Sequence, residues 1–218
     1  FFFNPPHAKR DPLWSRGLGD VYKRQLLLCG SRVPEAQRNL RRLVRSTMAL
    51  PGHVPMALLV AVGAQPDAEA LSESLEQLGF RQSLPPSDQL GAEACWVKGA
   101  CLVLIGRGCF DQWAGWAEAG IATAGTATDQ LFGLGIPALS LPGPGPQFKP
   151  GFARRQSRLL GGAVRPCSDE AELTMRLKYL LDDPELRTHL GQIGAQRMGP
   201  SGGSDQLAHL ILDRFNGY

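Results

Sequence analysis

The sequence has little of what membrane spans, secretion signals and metal centres require. Its longest apolar runs, residues 56–64 and 100–106, fall short of the ~18 residues of a membrane-spanning helix. We expect both runs to be buried strands. The first residues contain no basic region followed by an apolar core, so no secretory signal peptide is predicted.

Neither the cysteines nor the histidines have the spacing of metal ligands. The five cysteines form no Cys-x-x-Cys pair, and none of the four histidines has metal-ligand spacing. We therefore expect no metal site, and reduced, buried thiols in a cytoplasmic protein. No Ser-His-Asp or Cys-His set is visible, and the carboxylates of Asp111 and Glu118 are isolated rather than paired as acid and base.

Residues 1–25 differ from the remaining chain in charge and in pattern. The formal net charge is +3, and residues 1–25 hold five basic and two acidic side chains, which leaves 18 of each sign in residues 26–218. This balance argues against nucleic acid as the main partner. Residues 17–25 also resemble a translated sequencing-adapter sequence, so we interpret 1–25 as a non-native leader, with a natural disordered tail as the alternative.

From residue 26 onward, short apolar segments alternate with amphipathic ones. Strands are predicted at residues 26–29, 56–62, 121–124, 137–141 and 163–165, with a hairpin or bulged strand at 94–98 and 101–105 around Gly99. Helices are predicted at residues 34–50, 67–78, 111–118, 126–134, 151–160, 169–181 (with Ser168 as N-cap), 184–197 and 204–215. This alternation predicts an α/β, doubly wound, mostly parallel sheet with helices on both faces.

Residues 125–142 carry the clearest functional signal. They read GTATDQLFGLGIPALSLP, in which a turn of small residues opens a short helix and an apolar strand follows. Such a turn presents backbone N–H groups and the positive end of a helix dipole, which suits a phosphate. Asp129 and Gln130 lie one helical turn further, within reach of whatever extends beyond that phosphate.

Other turns also follow predicted strands. Gly30-Ser31-Arg32 closes an apolar strand and leads into a helix, and the segments 106–110 and 143–147 follow strands as well. Ligands of open parallel sheets bind beyond the carboxyl ends of the strands, so we expect these turns to share one cleft. Two phosphate-suited turns predict a nucleotide-diphosphate ligand, whereas the simpler alternative is that each turn is only a tight connection.

Arginines recur at helical spacing in two predicted helices. They are Arg38, Arg41, Arg42 and Arg45 in the first helix, and Arg154, Arg155 and Arg158 in a later one. Solvated helix surfaces are the simpler interpretation. Contact with anionic lipid headgroups or a lipid-linked acceptor is the alternative.

The two turns, in this order, resemble the C-terminal half of GT-B glycosyltransferases. Gly30-Ser31-Arg32 with Glu35, and residues 125–137, are most similar to lipid-A-disaccharide synthase and its related proteins, and residues 142–160 are similar to the related subgroup. The resemblance covers residues 26–215. It implies a Rossmann-like domain at 26–218 that binds a UDP-sugar, with an N-terminal acceptor domain missing from this chain.

The resemblance also implies roles for individual residues. Gly30, Ser31 and Arg32 would line the diphosphate side of the cleft. Gly125 and Thr126 would donate N–H and hydroxyl hydrogen bonds to the phosphates.

Further positions are implied for the ribose, the sugar and the base. Gln130 stands where the synthase and related UDP-sugar epimerases have a ribose-binding Glu, and Asp129 is expected to take over part of that role. Gln147 would lie near the donor sugar. The backbone of residues 106–110, including Phe110, would face the uracil.

The implied activity is transfer of a sugar of the N-acetylglucosamine type from UDP to a lipid-linked or glycolipid acceptor, with peripheral membrane contact. No metal or other cofactor is expected. The general base is expected in the missing half, so this chain alone would bind nucleotide without turnover. Two alternatives remain open: a UDP-sugar 2-epimerase, against which the pair Asp129-Gln130 counts, and a non-catalytic nucleotide-binding or assembly module.

Overall fold

The computed structural model describes residues 22–52, 54–123, 125–143, 145, 148–199 and 202–216. Within these ranges the strands are β1 (Lys23–Leu28), β2 (Met56–Val62), β3 (Arg81–Ser83), β4 (Ala94–Lys98), β5 (Cys101–Arg107), β6 (Ala119–Ala122), β7 (Ala138–Ser140) and β8 (Val164–Pro166). The helices are α1 (Glu35–Met48), α2 (Ala68–Gln77), α3 (Phe110–Ala114), α4 (Thr126–Gly133), α5 (Pro150–Leu159), α6 (Glu170–Asp182), α7 (Pro184–Met198) and α8 (Gly203–Asn216), with a 3-10 turn at Asp88–Leu90.

The strands form one sheet in the order β3-β4-β5-β2-β1-β6-β7-β8. The pairs from β5 through β8 are parallel, and β3 and β4 add antiparallel pairs at one edge. The chain builds from β1 toward β5 and then returns to the other side of β1 with β6, so the direction of winding reverses between β1 and β6. This confirms the α/β, Rossmann-like, doubly wound and mostly parallel sheet predicted from the sequence.

Helices cover both faces of the sheet. Leu27 of β1 belongs to the core layer under α1, α2 and α6, whereas Leu26 belongs to the opposite layer with Trp113 of α3 and Phe132 of α4. Because both faces are covered, β2 and residues 26–28 of β1 are apolar at every position rather than at alternate ones. Among the described helices, none combines the length and apolar character needed to cross a bilayer.

The first strand begins earlier than predicted. It starts at Lys23, so residues 23–25, which the sequence interpretation placed in the leader, belong to the sheet. Because these three residues are polar, the apolar pattern of the sequence does not show that the strand includes them. Lys23 pairs with Glu118 at 3.4 Å, and the Arg24 N–H donates to the same carboxylate at 2.9 Å. The interpretation of residues 1–21 falls on positions outside the described ranges.

Two local details also differ from the sequence predictions. A three-residue strand, β3, was not predicted, because its exposed position at the sheet edge leaves no apolar signal. The N-cap of α6 is Asp169, which accepts from the Glu172 N–H at 2.8 Å. Ser168, the predicted cap, instead donates its hydroxyl to the Glu172 carboxylate at 2.8 Å.

Two helical glycines give opposite predictions for stability. A methyl group at Gly191 of α7 would collide with the backbone carbonyl of Gly135, whereas one at Gly133 of α4 would meet open space. We expect Gly191→Ala to lower the free energy of unfolding by about 1–3 kcal/mol, as overpacking does. We expect Gly133→Ala to raise it by about 0.5–1 kcal/mol. Urea unfolding measures both, and shifts of the same sign would contradict this packing of α7.

Candidate functional site

A crevice of about 590 Å³ opens beyond the carboxyl ends of β1, β2 and β6. Its wall includes the turn after β1 (Gly30, Ser31), the turn after β2 (Gly63, Ala64, Gln65), the start of α4 (Gly125, Thr126, Ala127) and two aromatic rings (Phe148, Phe152). The reversal of winding between β1 and β6 makes this the topological switch point, where open α/β sheets bind ligands. The volume lies within the usual range of small-molecule sites.

Hydrogen bonds at the floor of the crevice hold two of these turns side by side. Both the N–H and the hydroxyl of Thr123, just after β6, donate to the Leu28 carbonyl at the end of β1, at 2.9 and 3.2 Å. Gly30 then redirects the chain with a φ of +89°. Residues that have a Cβ rarely adopt this backbone conformation. The first turn therefore depends on glycine.

The start of α4 presents hydrogen-bond donors to the crevice. Its N-cap residue is Gly125, which offers no side-chain cap. The first N–H groups of an α-helix have no acceptor within the helix, and the helix dipole is positive at this end. The Thr128 and Asp129 N–H groups donate to the Gly125 carbonyl, so the donors here that suit an anion are the N–H groups of Thr126 and Ala127 and the exposed Thr126 hydroxyl.

A buried amide holds this turn from behind. Gln156 of α5 is only 4% exposed. Its Nε2 donates to the Gly125 carbonyl at 3.1 Å and to Asp129 Oδ1 at 2.8 Å. Asp129 is thus tied through Oδ1 to α5, which positions its carboxylate beside the start of α4.

Aromatic rings form an apolar wall of the crevice. Phe148 is buried, and Phe152 of α5 is 46% exposed. The two rings meet edge to face with centroids 5.6 Å apart. A Cβ at Gly125 would lie 3.4 Å from the Phe152 ring, so this ring borders the start of α4.

The structure brings together four of the residues predicted from the sequence: Gly30, Ser31, Gly125 and Thr126 line one crevice. Arg32 and Gln130 are exposed but are not part of its wall. Gln147 lies outside the described residues.

Phe110 lies away from the crevice. It begins α3 and packs, half-buried, against the core layer that contains Trp113. Gly106 is also packed, since a Cβ there would lie 2.6 Å from the Trp113 ring. The strand order places β5, which precedes this segment, beside β2, so that β2 and β1 separate it from the β1–β6 boundary. Segment 106–110 borders the turn after β2, since the Gly108 N–H donates to the Val62 carbonyl at 3.1 Å and Arg107 Nη1 donates to the Ala64 carbonyl at 2.8 Å. None of its residues is part of the crevice wall.

Sequence reasoning missed three contributions to the site. The turn at residues 63–65 follows β2, so the rule that selected the other turns would have found it. Phe152 and Gln156 carry no comparable signal, because a helical aromatic and a helical glutamine are ordinary surface or core residues until the fold places α5 beside α4.

A larger hollow, of about 800 Å³, lies between α6, α7 and strands β7 and β8. Its polar wall mixes Arg165 and Arg176 with the acidic Asp182, Asp183 and Glu185. It is lined mainly by helix α6 and the start of α7 rather than by the turns after the central strands, so we place the candidate site in the crevice. In the part of the chain that the structure describes, no group of His, Cys, Asp and Glu side chains is arranged to hold a metal ion.

Comparison with known proteins shows similarity in structure but not in sequence. No protein-family model matches the chain, and no curated protein sequence matches it. A Listeria monocytogenes protein assigned as a UDP-N-acetylglucosamine 2-epimerase is similar with a TM-score of 0.61 and 12% identity, over 97% of this chain and 50% of its own.

Two further solved structures are similar. The C-terminal CMP-Kdo binding domain of WaaA from Acinetobacter baumannii has a TM-score of 0.59 and 13% identity, over 86% of this chain and 95% of that domain. The calicheamicin glycosyltransferase CalG4 has a TM-score of 0.55 and 16% identity, over 97% of this chain and 45% of its own. The chain thus spans about half the length of the epimerase and of CalG4. The likeness shows the Rossmann-like fold found in GT-B glycosyltransferases.

The cysteines give a prediction that bears on nucleophilic chemistry. All five are buried and unpaired, as expected from the sequence. Burial raises the pKa to about 12 for the thiols of Cys29, Cys101 and Cys167 and to about 11 for Cys95, and it also raises the pKa of Cys109. Since the thiolate is the reactive form, we expect slow labelling by a disulfide reagent at mildly alkaline pH and complete labelling in guanidinium chloride. Rapid labelling of the native chain would contradict this arrangement.

Proposed function

We propose that the crevice binds the nucleotide diphosphate of a UDP-sugar, and that the chain is the donor-binding part of a GT-B glycosyltransferase. The observation that carries this proposal is the meeting of the Gly30 turn and the start of α4 at the switch point of the sheet. The similar structures support a nucleotide-sugar ligand, because two of them are named for UDP-N-acetylglucosamine and CMP-Kdo.

In this proposal the diphosphate lies against the start of α4. The N–H groups of its first turn and the hydroxyls of Thr126 and Ser31 donate hydrogen bonds to phosphate oxygens. When the bond from the sugar to the phosphate breaks, negative charge develops on the diphosphate, and these fixed donors stabilise it. Arg32, which directly follows Ser31, adds positive charge on the same side.

The remaining parts of the donor extend from the diphosphate in two directions. Phe152 offers an exposed aromatic face on which the uracil ring stacks. Gln130 is the proposed ribose contact, with a neutral amide in place of a carboxylate. Gln147 keeps its predicted position near the sugar.

The whole reaction is proposed from the sequence resemblance to lipid-A-disaccharide synthase. A sugar of the N-acetylglucosamine type passes from UDP to a lipid-linked or glycolipid acceptor, at the cytoplasmic face of a membrane. The acceptor site and the general base belong to a second, N-terminal half. The described part of this chain offers phosphate donors and an aromatic wall, which bind and orient the donor.

A second candidate function is UDP-sugar 2-epimerisation, which the similarity to the Listeria monocytogenes protein favours. Against it stands the chemistry of the start of α4, where Asp129 is bonded to Gln156 and the next residue is an amide. NMR of UDP-N-acetylglucosamine incubated with the chain tests the second candidate. Appearance of the 2-epimer without an acceptor would establish the epimerase and reject the transferase.

The first prediction on binding uses Gly63 to fill the crevice. A Cβ at Gly63 meets nothing within 4 Å, so Gly63→Trp adds an indole at the crevice wall without a clash at Cβ. We expect calorimetric titration to show selective UDP binding by the native chain, over NAD and ATP, and its loss in Gly63→Trp. Gly133→Trp is the matched control, since this glycine also has open space but lies at the far end of α4. Unchanged UDP affinity in Gly63→Trp would reject the crevice as the nucleotide site.

A second prediction tests the aromatic wall. Phe152→Ala removes a base-stacking face worth about 1–3 kcal/mol, so we expect UDP affinity to fall roughly fivefold to a hundredfold. Leu159→Ala is the matched control, because this leucine lies on the same helix and is 69% exposed. Equal affinities of the two variants would show that the Phe152 ring does not contact the base.

A further inference from the structure

A second cavity, also of about 590 Å³, has side-chain walls made largely of arginine. It lies between α1 and the loop after β7, and it is lined by Arg38, Arg41, Arg42, Arg45, Pro142 and Gly143. None of these residues lines the crevice. We propose that this arginine pocket is a second binding site, specific for phosphate groups and separate from the nucleotide site.

The balance of charge in the pocket favours an anion. Arg42 is paired with Glu170, whose Oε1 lies 2.6 Å from its Nε. Arg38 and Arg45 are exposed and have no ion pair within the described part of the chain. Glu35, at the start of the same helix, is placed against Gly145. Glu35 Oε1 would also lie 3.8 Å from a Cβ at Gly143, so the two carboxylates of Glu35 and Glu170 lie near four guanidinium groups and leave an excess of positive charge.

Two of the arginines are held in place before any ligand binds. Arg41 donates through Nη1 to Ser74 Oγ and Gln77 Oε1 of α2, each at 3.1 Å. Arg42 donates to Glu170 and, through Nη1, to the Pro142 carbonyl at 3.1 Å. Fixed donors lose less conformational entropy on binding. Arg41 and Arg42 are therefore preorganised donors, and the exposed side chains of Arg38 and Arg45 lie beside them.

The arrangement is unfavourable for the helix itself. The four arginines lie three and four residues apart, where like charges repel on a helix surface. Arg38 also lies in the first turn of α1, where the helix dipole disfavours a cation. A bound anion would reduce the repulsion among the arginines and offset the unfavourable position of Arg38. A purely structural role gives no reason for placing four arginines on one helix surface.

The dimensions of the pocket indicate the chemical class of ligand. Arg38 and Arg45 are seven residues apart, which is about 10 Å along a helix axis. This length fits one or two phosphate groups, and guanidinium forks match phosphate oxygens well. A nucleic-acid backbone would need a longer basic stripe, and the balanced charge of residues 26–218 provides none.

The test uses the full chain and pyrophosphate as the probe. We expect Arg38→Gln/Arg45→Gln to weaken calorimetric binding of pyrophosphate by at least about tenfold, the value of one charge-assisted hydrogen bond. Arg81→Gln/Arg214→Gln is the matched control, since it removes the same charge outside the pocket. The titration is repeated with Gly63→Trp. A signal lost in that variant belongs to the crevice, and a signal lost in Arg38→Gln/Arg45→Gln belongs to the arginine pocket.

A vesicle arm identifies the source of the phosphate. Sedimentation with vesicles of phosphatidylglycerol and phosphatidylcholine that depends on Arg38 and Arg45 would assign the site to a lipid headgroup. Pyrophosphate binding without such sedimentation would assign it to a phosphate-bearing small molecule. Equal pyrophosphate and vesicle binding by the two double variants, or no binding of either probe by the native chain, would overturn the proposal.

Discussion

The pairing of β1 with β6 is the constraint on which the candidate site of this protein depends. Thr123 bonds through both its N–H and its hydroxyl to the Leu28 carbonyl, which fixes where the two strands end relative to each other. The Leu141 N–H extends the same edge by donating to Ala122 at 2.9 Å. A slip of one residue would turn every side chain of a strand to the opposite face. The buried layers on both faces exclude such a slip, so the two phosphate-suited turns stay together.

Buried amides support both turns from the side away from the crevice. Asn39 of α1 donates to the Cys29 carbonyl at 3.0 Å behind the first turn, and Gln156 of α5 donates to the Gly125 carbonyl behind the second. The Gly125 carbonyl also accepts the Thr128 and Asp129 N–H groups at 3.0 and 3.3 Å, so the Gln156 amide adds a bond from a second helix to a carbonyl at the start of α4. Each turn is thus tied to a neighbouring helix by a buried side-chain amide.

The loop after β7 connects the crevice with the arginine pocket. Phe148 from this loop lines the crevice, while Pro142 and Gly143 line the pocket. Arg42 ties the loop to α1 through the Pro142 carbonyl. Residues on both sides of the proposed sites thus come from one connection, with Pro142 held by α1 and Phe148 in contact with Phe152.

The order of strands and helices, the α/β class and the phosphate-suited turns at Gly30 and Gly125 were determined by the sequence itself, because apolar periodicity and turn chemistry act over a few residues. Only the tertiary structure decided which turns meet. Strand order kept Phe110 away from the crevice and brought the turn at residues 63–65 into it. Tertiary packing also brings Asp129 into hydrogen-bond contact with Gln156, 27 residues away in the sequence. It also pairs the polar Lys23 of β1 with Glu118. These pairings depend on how distant segments pack in three dimensions, and local sequence patterns do not determine that packing.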